Sequence, residues 1–550
     1  MAPLPALKRL FGTQQGRVWG WVIICGILMF VAAIRFRLRE MPLERDEGEF
    51  AYAGQLFLHG VPPGKLAYTM KLPGTHAAYA IMMLLFGQSS SGIHFGFLVV
   101  NCGTVVLIFL LARALAGTLA GCVAGAIYSM VTLSGDVLGT AAHATHFVVL
   151  AALGGLLLLF QASKTGKLPA YFASGFLLSA SVLMKHNGIL FLTFGAAWLL
   201  WLGYSKTLGP KATFLKAGSA FLSGAVAPFL FLLLLLWLAG TLENCWFWSA
   251  TYARAYGKPN PGLMIIRRML IQRMPQIMII PFYAALFGLL ALWLRRSSWR
   301  SALFATGFFL TSVLAAIPGL HFRPHYFVLL APGIALLGGT LAQNATDFLR
   351  SVSKWLIPIP VLAFGLFFAK AIARERNLFF QMTPVEACRS LYGNQPFPEA
   401  IVLADYIRAH SSPDARVAVL GSEPEIYFYT HRRSATGYIY TYPLMEHHVF
   451  AAHMQQQMAQ EIETARPQFI IQVRTWTSWL SRPGGLDKLD KMCQTLIPPH
   501  YKLIGTCDVF PEESRVEWNW QSIPNADVTA PSKELLVFER NAPNGENAQP

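Results

Sequence analysis

Eleven apolar runs constrain this chain more than any other feature. They lie at about 18–34, 93–112, 117–133, 142–161, 169–184, 188–203, 217–239, 276–294, 301–318, 326–344 and 355–370. A helix needs roughly 20 apolar residues to cross a bilayer, and inside the bilayer only helices and closed barrels satisfy their own backbone. The chain therefore reads as an α-helical polytopic membrane bundle of about 11 transmembrane helices. The charged fraction of 13% agrees, being near half that of a soluble domain. The net charge of +16 is spread over short loops, where it sets topology and meets anionic lipid rather than nucleic acid. The first run follows Lys8, Arg9 and Arg17 and lacks a small-residue cleavage site, so it reads as an uncleaved helix.

The segment His76 to Phe86 is apolar but too short to span, which places it on the membrane surface within the first outer loop, residues 35–92. With the N-terminus inside, the inner loops carry Arg113, Lys164, Lys167, Lys206, Lys211, Lys216, Arg350 and Lys354 among others, against one acid, Asp347. The outer loops hold a similar number of basic residues, but over roughly twice the length and mixed with acids, so the positive-inside rule favours this orientation. Eleven crossings then leave the C-terminus outside. From residue 383 charge rises and long apolar runs stop. Short strand-like stretches at 416–421, 469–473 and 535–538, with helical patterns at 399–410 and 453–464, predict an extracytoplasmic α/β domain. The expected organisation is a membrane module over 1–382, a soluble domain over 383–541 and a polar tail over 542–550. Cys388, Cys493 and Cys507 leave one disulfide open there, with no pair singled out.

Chemistry concentrates in the first outer loop. Asp46, Glu47 and Glu49 fall within four residues, at the start of an amphipathic stretch that includes Tyr52. Charge beside hydrocarbon is costly and usually functional, and a carboxylate at a helix N-terminus stays ionised, as a general base must. Against that stands helix capping by an acid, a simple alternative for Asp46. Outward basic residues follow: Lys71 in a Lys-Leu-Pro-Gly turn, Lys185 before His-Asn-Gly, Arg254 with Lys258, Arg267, Arg268 and Arg273 in the loop 240–275, and Arg323 in Arg-Pro-His-Tyr with His325 and Tyr326. Together they suit an anionic headgroup; singly each is explained by snorkelling. His143 and His146 have the spacing of a metal pair on one helical face, or of a hydrogen-bonded polar pair. No metal site is assigned, and a divalent ion is the one cofactor left open.

The order of these motifs, from Asp-Glu-Gly-Glu-Phe-Ala-Tyr through Lys71-Leu-Pro-Gly74 and Lys185-His-Asn-Gly188 to Arg323-Pro-His-Tyr326, resembles the GT-C superfamily of membrane glycosyltransferases. Within it the chain is similar to family 39, the protein mannosyltransferase-like and aminoarabinose transferase-like enzymes of bacteria. The resemblance covers roughly residues 18–345. It implies a GT-C fold in the plasma (inner) membrane and a role in cell-envelope or lipopolysaccharide biosynthesis. The implied reaction is an inverting transfer of sugar from undecaprenyl or another polyprenyl phosphate to a lipid, glycan or protein acceptor. It implies Asp46 as base with Glu47 beside it, and Lys71 near the donor phosphate, with Lys185 and Arg323 at the same anion site. The chain departs from the family at the second outer loop, where His143 and His146 stand in place of an acid. The residues themselves also admit a transporter of an anionic or lipid-linked substrate, though no matching halves of broken helices are seen.

Overall fold

The computed structural model describes residues 14–256, 269, 272–294, 299–318, 320–480, 497–510, 515–520 and 533–541. Lys258, Arg267, Arg268, Cys493 and the polar tail lie outside the described residues. Every apolar run forms a helix. In chain order the long helices of the first part are α1 (Gln14–Arg37), α2 (Arg45–Leu58), α3 (Gly74–Phe86), α4 (Ser90–Ala116), α5 (Thr118–Leu133), α6 (Ala144–Thr165), α7 (Leu168–Met184), α8 (Ile189–Tyr204), α9 (Lys211–Leu238), α10 (Gln276–Leu294), α11 (Trp299–Ala315), α12 (Ala331–Val352) and α13 (Pro358–Arg374).

Seven of these are long and apolar enough to cross a membrane, whereas eleven crossings were expected. Three of the remaining four, α5, α7 and α11, are apolar but have 16, 17 and 17 residues. At 1.5 Å per residue they reach only about 24–26 Å. The clearest reason is α5, which is buried along nearly its whole length: a helix surrounded by protein need not match the bilayer. The fourth, α12, is the axis of the bundle. Ala331, Ile334, Ala335, Leu336 and Leu337 are fully buried, while Asp347 and Arg350 make its last turns polar. Helix α5 approaches α12 so closely that a Cβ on Gly339 would stand 2.2 Å from the Ala120 carbonyl oxygen, the small-residue packing that bilayers favour. Helix α9 turns Leu230, Phe231, Leu234 and Trp237 outward, as a lipid-facing helix does. Helix α3 is a 13-residue helix, too short to span.

The C-terminal part holds α14 (Pro384–Tyr392), α15 (Phe397–Ala409), α16 (Glu425–Thr430) and α17 (Ala451–Ala465), with a six-stranded sheet. Its strands are β1 (Arg416–Leu420), β2 (Arg433–Ser434), β3 (Phe469–Val473), β4 (Tyr501–Phe510), β5 (Arg515–Asn519) and β6 (Lys533–Arg540), in the order β2-β1-β3-β6-β4-β5. Strand β1 is parallel to β2 and β3; β6 runs antiparallel to β3 and β4. The stretches β1, β3 and β6 are the three continuous apolar runs legible in sequence. Cys388 and Cys507 are both buried free thiols.

This α/β layer sits directly on α2. Arg45 donates to the Ser422 carbonyl (2.5 Å) and pairs with Glu423 (2.6 Å). The Tyr52 hydroxyl accepts from the Ser434 amide at 2.7 Å, and Gln55 contacts His431 at 2.8 Å. Gly48 faces Glu425 so tightly that a Cβ would lie 2.5 Å from its backbone nitrogen. The Gly48→Ala variant is accordingly expected to lose about 1–3 kcal/mol through overpacking. It should melt several degrees below the parent in detergent, whereas Gly26→Ala, where a Cβ meets nothing within 4 Å, should be neutral.

Candidate active site

The acidic cluster opens α2, and its members divide the work. Glu44, not Asp46, is the N-cap: its carboxylate accepts from the Glu47 amide at 3.0 Å, and Glu47 returns the bond to the Glu44 amide at 3.4 Å. This capping box leaves Asp46 free to face outward. Asp46 Oδ1 accepts from Lys71 Nζ at 2.8 Å and from the Tyr440 hydroxyl at 3.2 Å. Lys71 also donates to Glu49 at 2.6 Å and lies 4.3 Å above the Phe50 ring. The turn at Pro73-Gly74 brings Lys71 back over α2. Thr69, two residues earlier, donates to the other Glu49 oxygen at 2.5 Å.

Glu47 points the opposite way. It is fully buried, accepts from the Ala142 amide at 2.6 Å and bonds His94 at 3.0 Å. It ties the start of α2 to the segment before α6 and to α4, away from the cleft. Tyr52 likewise belongs to the docking surface, its ring tilted against that of Tyr427 with centroids 5.1 Å apart.

The other expected residues fall into two groups. His143, Lys185, Arg323, His325 and Tyr326 converge on Asp46. His143 and His325 stack with centroids 4.1 Å apart, each with a ring nitrogen 3.8 Å from Asp46 Oδ2. Lys185 Nζ lies 3.9 Å from the centroid of the Tyr326 ring and has no ion-pair partner among the described residues. His146 and Arg254 do not converge. One turn along α6, His146 is turned toward Phe97 with ring centroids 4.7 Å apart, so the two histidines three apart do not share a face toward the cleft. Arg254 is exposed and lines neither cavity. Asp136 pairs with Arg374 at 2.7 Å and accepts from the Ile277 amide at 2.8 Å, a structural pin.

Two cavities meet at Lys71. One, of about 300 Å³, is lined by Asp46, Glu49, Lys185, Arg323, His325, Tyr326, Tyr440 and Tyr442. The other, of about 240 Å³, is lined by Phe57, Leu72, Phe229, Leu232, Leu233, Leu236 and Trp246. Thr69, Lys71 and Trp248 line both. A charged chamber thus joins an apolar one along the lipid-facing helix α9.

Electrostatics follow from this burial. Burial favours neutral Asp46, but the Lys71 ammonium outweighs it and holds the carboxyl well below its usual range. Lys71 is pushed up: burial opposes its charge, and Asp46 and Glu49 more than offset that. Burial lowers His143 to about 4, so it is neutral at physiological pH. Lys185 is lowered to about 7 by burial, with Lys71 and Arg323 also disfavouring its charge and only Asp46 supporting it.

Reasoning from sequence missed Tyr440 and Tyr442. Nothing in a C-terminal loop marks it as reaching a site nearly four hundred residues earlier. The crowding of aromatics in Tyr438-Ile-Tyr-Thr-Tyr442 was the available signal.

The fold and the cleft define a polytopic membrane protein with a charged pocket at one end of the bundle, roofed by an α/β layer. Residues 71–237 match the family model described as dolichyl-phosphate-mannose-protein mannosyltransferase. Among solved structures, the chain is similar to ArnT from Cupriavidus metallidurans bound to undecaprenyl phosphate. Identity there is 13%, with 94% of this chain and 98% of that one covered, at a TM-score of 0.55. It is also similar to the archaeal oligosaccharyltransferase AglB from Archaeoglobus fulgidus, in complex with an inhibitory peptide and a dolichol-phosphate. That match has 10% identity, 94% and 76% coverage and a TM-score of 0.52. No curated protein matches by sequence. The chain has the fold of these membrane glycosyltransferases, and the family-model match falls within the stretch over which its motifs resemble family 39.

Lys185 supplies a test of the charged chamber. A bound anion restores its positive charge, so anion affinity should be full below pH 7 and fall as pH rises through about 7. Affinity for sulfate as an anion probe, measured by calorimetry, is expected to weaken several-fold from pH 6 to 8.5. In Lys185→Arg, whose charge persists, the profile should be flat over that range.

Proposed function

We propose that this protein is an inverting glycosyltransferase. It moves a sugar from a polyprenyl-phosphate donor to an acceptor hydroxyl on the outer face of the plasma membrane. The observation that carries the reading is the meeting of the two cavities at Lys71. A lipid-linked sugar phosphate needs an apolar channel for its tail, cations for its phosphate and a base beyond the sugar, in that order. Here α9 and α3 flank the channel, Lys71, Lys185 and Arg323 surround the phosphate position, and Asp46 lies on the far side. Residues 383–541 form the outer domain, and the N-terminus lies in the cytosol.

The Asp46–Lys71 contact gives the site an economical cycle. Without donor, Lys71 neutralises Asp46 and Glu49. An arriving phosphate draws Lys71 toward it, which relieves the depression of Asp46 and makes it a better hydrogen-bond acceptor. Asp46 then takes the proton of the attacking hydroxyl while the anomeric carbon–phosphate oxygen bond breaks, and the cations hold the released phosphate. Tyr440 donates to the same carboxylate oxygen as Lys71 and keeps it aimed when Lys71 leaves. Glu47 acts as a positioning residue rather than as part of the base.

Asp46→Asn should lower transfer by about 10²–10⁴-fold while membrane insertion is kept; Lys71 retains Glu49 as a partner, so the melting temperature should fall by only a few degrees. Mass spectrometry of purified protein incubated with polyprenyl-phosphate sugars would read the product. Full turnover in that variant would refute the assignment. Tyr440→Phe should lower kcat about tenfold with little change in the KM for donor, since it removes one hydrogen bond, worth roughly 0.5–1.5 kcal/mol, from the base and none from the phosphate.

A further inference from the structure

The end of the bundle remote from the charged chamber holds a second kind of cavity. It has a volume of about 230 Å³ and lies where the start of α5, the last turns of α12 and the start of α13 meet. From Ala331, just past the chamber segment, to Arg350 at this cavity, α12 rises about 28 Å, close to the thickness of a hydrocarbon core. The walls are apolar: Leu119 on one side, Ile357, Val361 and Leu362 on the other. Phe348, Val352 and Trp355, beside it along the chain, are exposed. An exposed tryptophan among such residues marks the level where membrane gives way to water.

Arg350 is the one charged residue lining the cavity among the described residues. A cation in the last turn of a helix is favoured by the helix dipole, so its position alone calls for no ligand. Its bonding does. Arg350 Nε is sealed from solvent and has no hydrogen-bond partner among the described residues. Nη1 stands 3.7 Å from Asp347 Oδ1, beyond hydrogen-bond range, and that oxygen already accepts from Gln343 at 3.1 Å. The Thr346 hydroxyl is committed to the Ala342 carbonyl. An enclosed guanidinium with an unsatisfied donor lacks an acceptor, and an anionic oxygen is the strongest one.

We infer that this cavity binds one anionic phospholipid from the leaflet opposite the charged chamber, with its phosphate on Arg350 and an acyl chain along Leu119, Val361 and Leu362. Lys354, just past the end of α12, and Arg113, in the last turn of α4, add positive charge to this rim. A basic pocket between membrane helices selects an anionic headgroup over a zwitterionic one, and apolar walls suit a lipid rather than free phosphate. The lipid also has a task. Pro360 and Ala371 are the buried residues of α13, so protein covers little of that helix. Yet α13 carries the chain to the carbonyls that Arg37 fastens and on to the α/β layer. A lipid seated between α12 and α13 supplies packing there.

The site goes beyond the transferase reading, which places donor and acceptor at the other end of the bundle. Its test is binding without turnover, so the two readings fail separately. Full-length protein, delipidated in detergent, would be mixed with equal amounts of phosphatidylglycerol and phosphatidylcholine and examined by native mass spectrometry. The expected result is one phosphatidylglycerol held per chain, preferred about fivefold, the effect of one cation near the headgroup. Phosphatidylglycerol should also raise the melting temperature by several degrees, whereas inorganic phosphate should leave it unchanged. Arg350→Gln should bring the preference close to unity. Arg300→Gln, an equal loss of charge at the exposed start of α11, should keep it. Should Arg350→Gln fail to fold, Leu362→Trp, which fills the mouth from the lipid side, decides in its place and should lose the bound lipid. No preference in the folded parent, an undiminished preference in the deciding variant, or a melting shift reproduced by inorganic phosphate overturns the inference.

Discussion

The contact on which the structure turns is the ammonium of Lys71 held between Asp46 and Glu49. Three charges are brought together where the bundle, the first outer loop and the α/β layer meet, and none of them is freely hydrated. A carboxylate in that position unpaired would be neutral; a lysine unpaired would lose its proton. Each keeps the other charged, so an acid and a cation are stored as a pair beside the cleft. Everything nearby serves to hold that pair at a fixed depth. The capping box of Glu44 and Glu47 starts α2 at the right residue, the Pro73-Gly74 turn returns Lys71 over it, and Phe50 supplies a ring under the ammonium.

The second constraint is that the site has no single owner. Asp46 comes from the start of α2, His143 from the segment before α6, Lys185 from the end of α7, Arg323 and His325 from the segment before α12, and Tyr440 from the C-terminal part. The first ten residues of helix α12 are buried without a break, which holds the segment leading into it in place. Helix α2 in turn is clamped from both sides: Glu47 fastens it to α4 and the second loop, while Arg45, Tyr52 and Gln55 fasten it to the α/β layer. The chemistry is therefore set by packing between distant parts of the chain rather than by any one motif.

That division explains what sequence could and could not tell. Helices were legible because apolar runs of that length have few alternatives, and β1, β3 and β6 were legible as buried strands. The lengths of α5, α7 and α11 were legible to within a residue, but hydropathy does not distinguish a helix facing lipid from one facing protein. Strands β4 and β5 carry mixed, partly exposed faces and gave no clean alternation. In the site, Asp46, Lys71, Lys185 and Arg323 stood out because charge near hydrocarbon needs a reason. Glu47 looked like their equal in sequence, and only the direction of its side chain separates a buried fastening from a reactive acid. Tyr440 was invisible for the opposite reason: a tyrosine in a polar loop is unremarked until its neighbours are known.

Arg37, at the end of α1, gives its guanidinium to the backbone carbonyls of Leu378, Phe379 and Met382, more than three hundred residues downstream. The first membrane helix thus completes its own hydrogen bonding only after the last one has been synthesised and inserted. Until then a cation at the rim of the nascent bundle has no protein partner, and the roof over α2 does not yet exist. The contact therefore ties the two ends of the helical region together, and only a chain that includes both can close the roof over α2. A chain halted anywhere before residue 378 carries every acid and base of the first loop, yet encloses nothing.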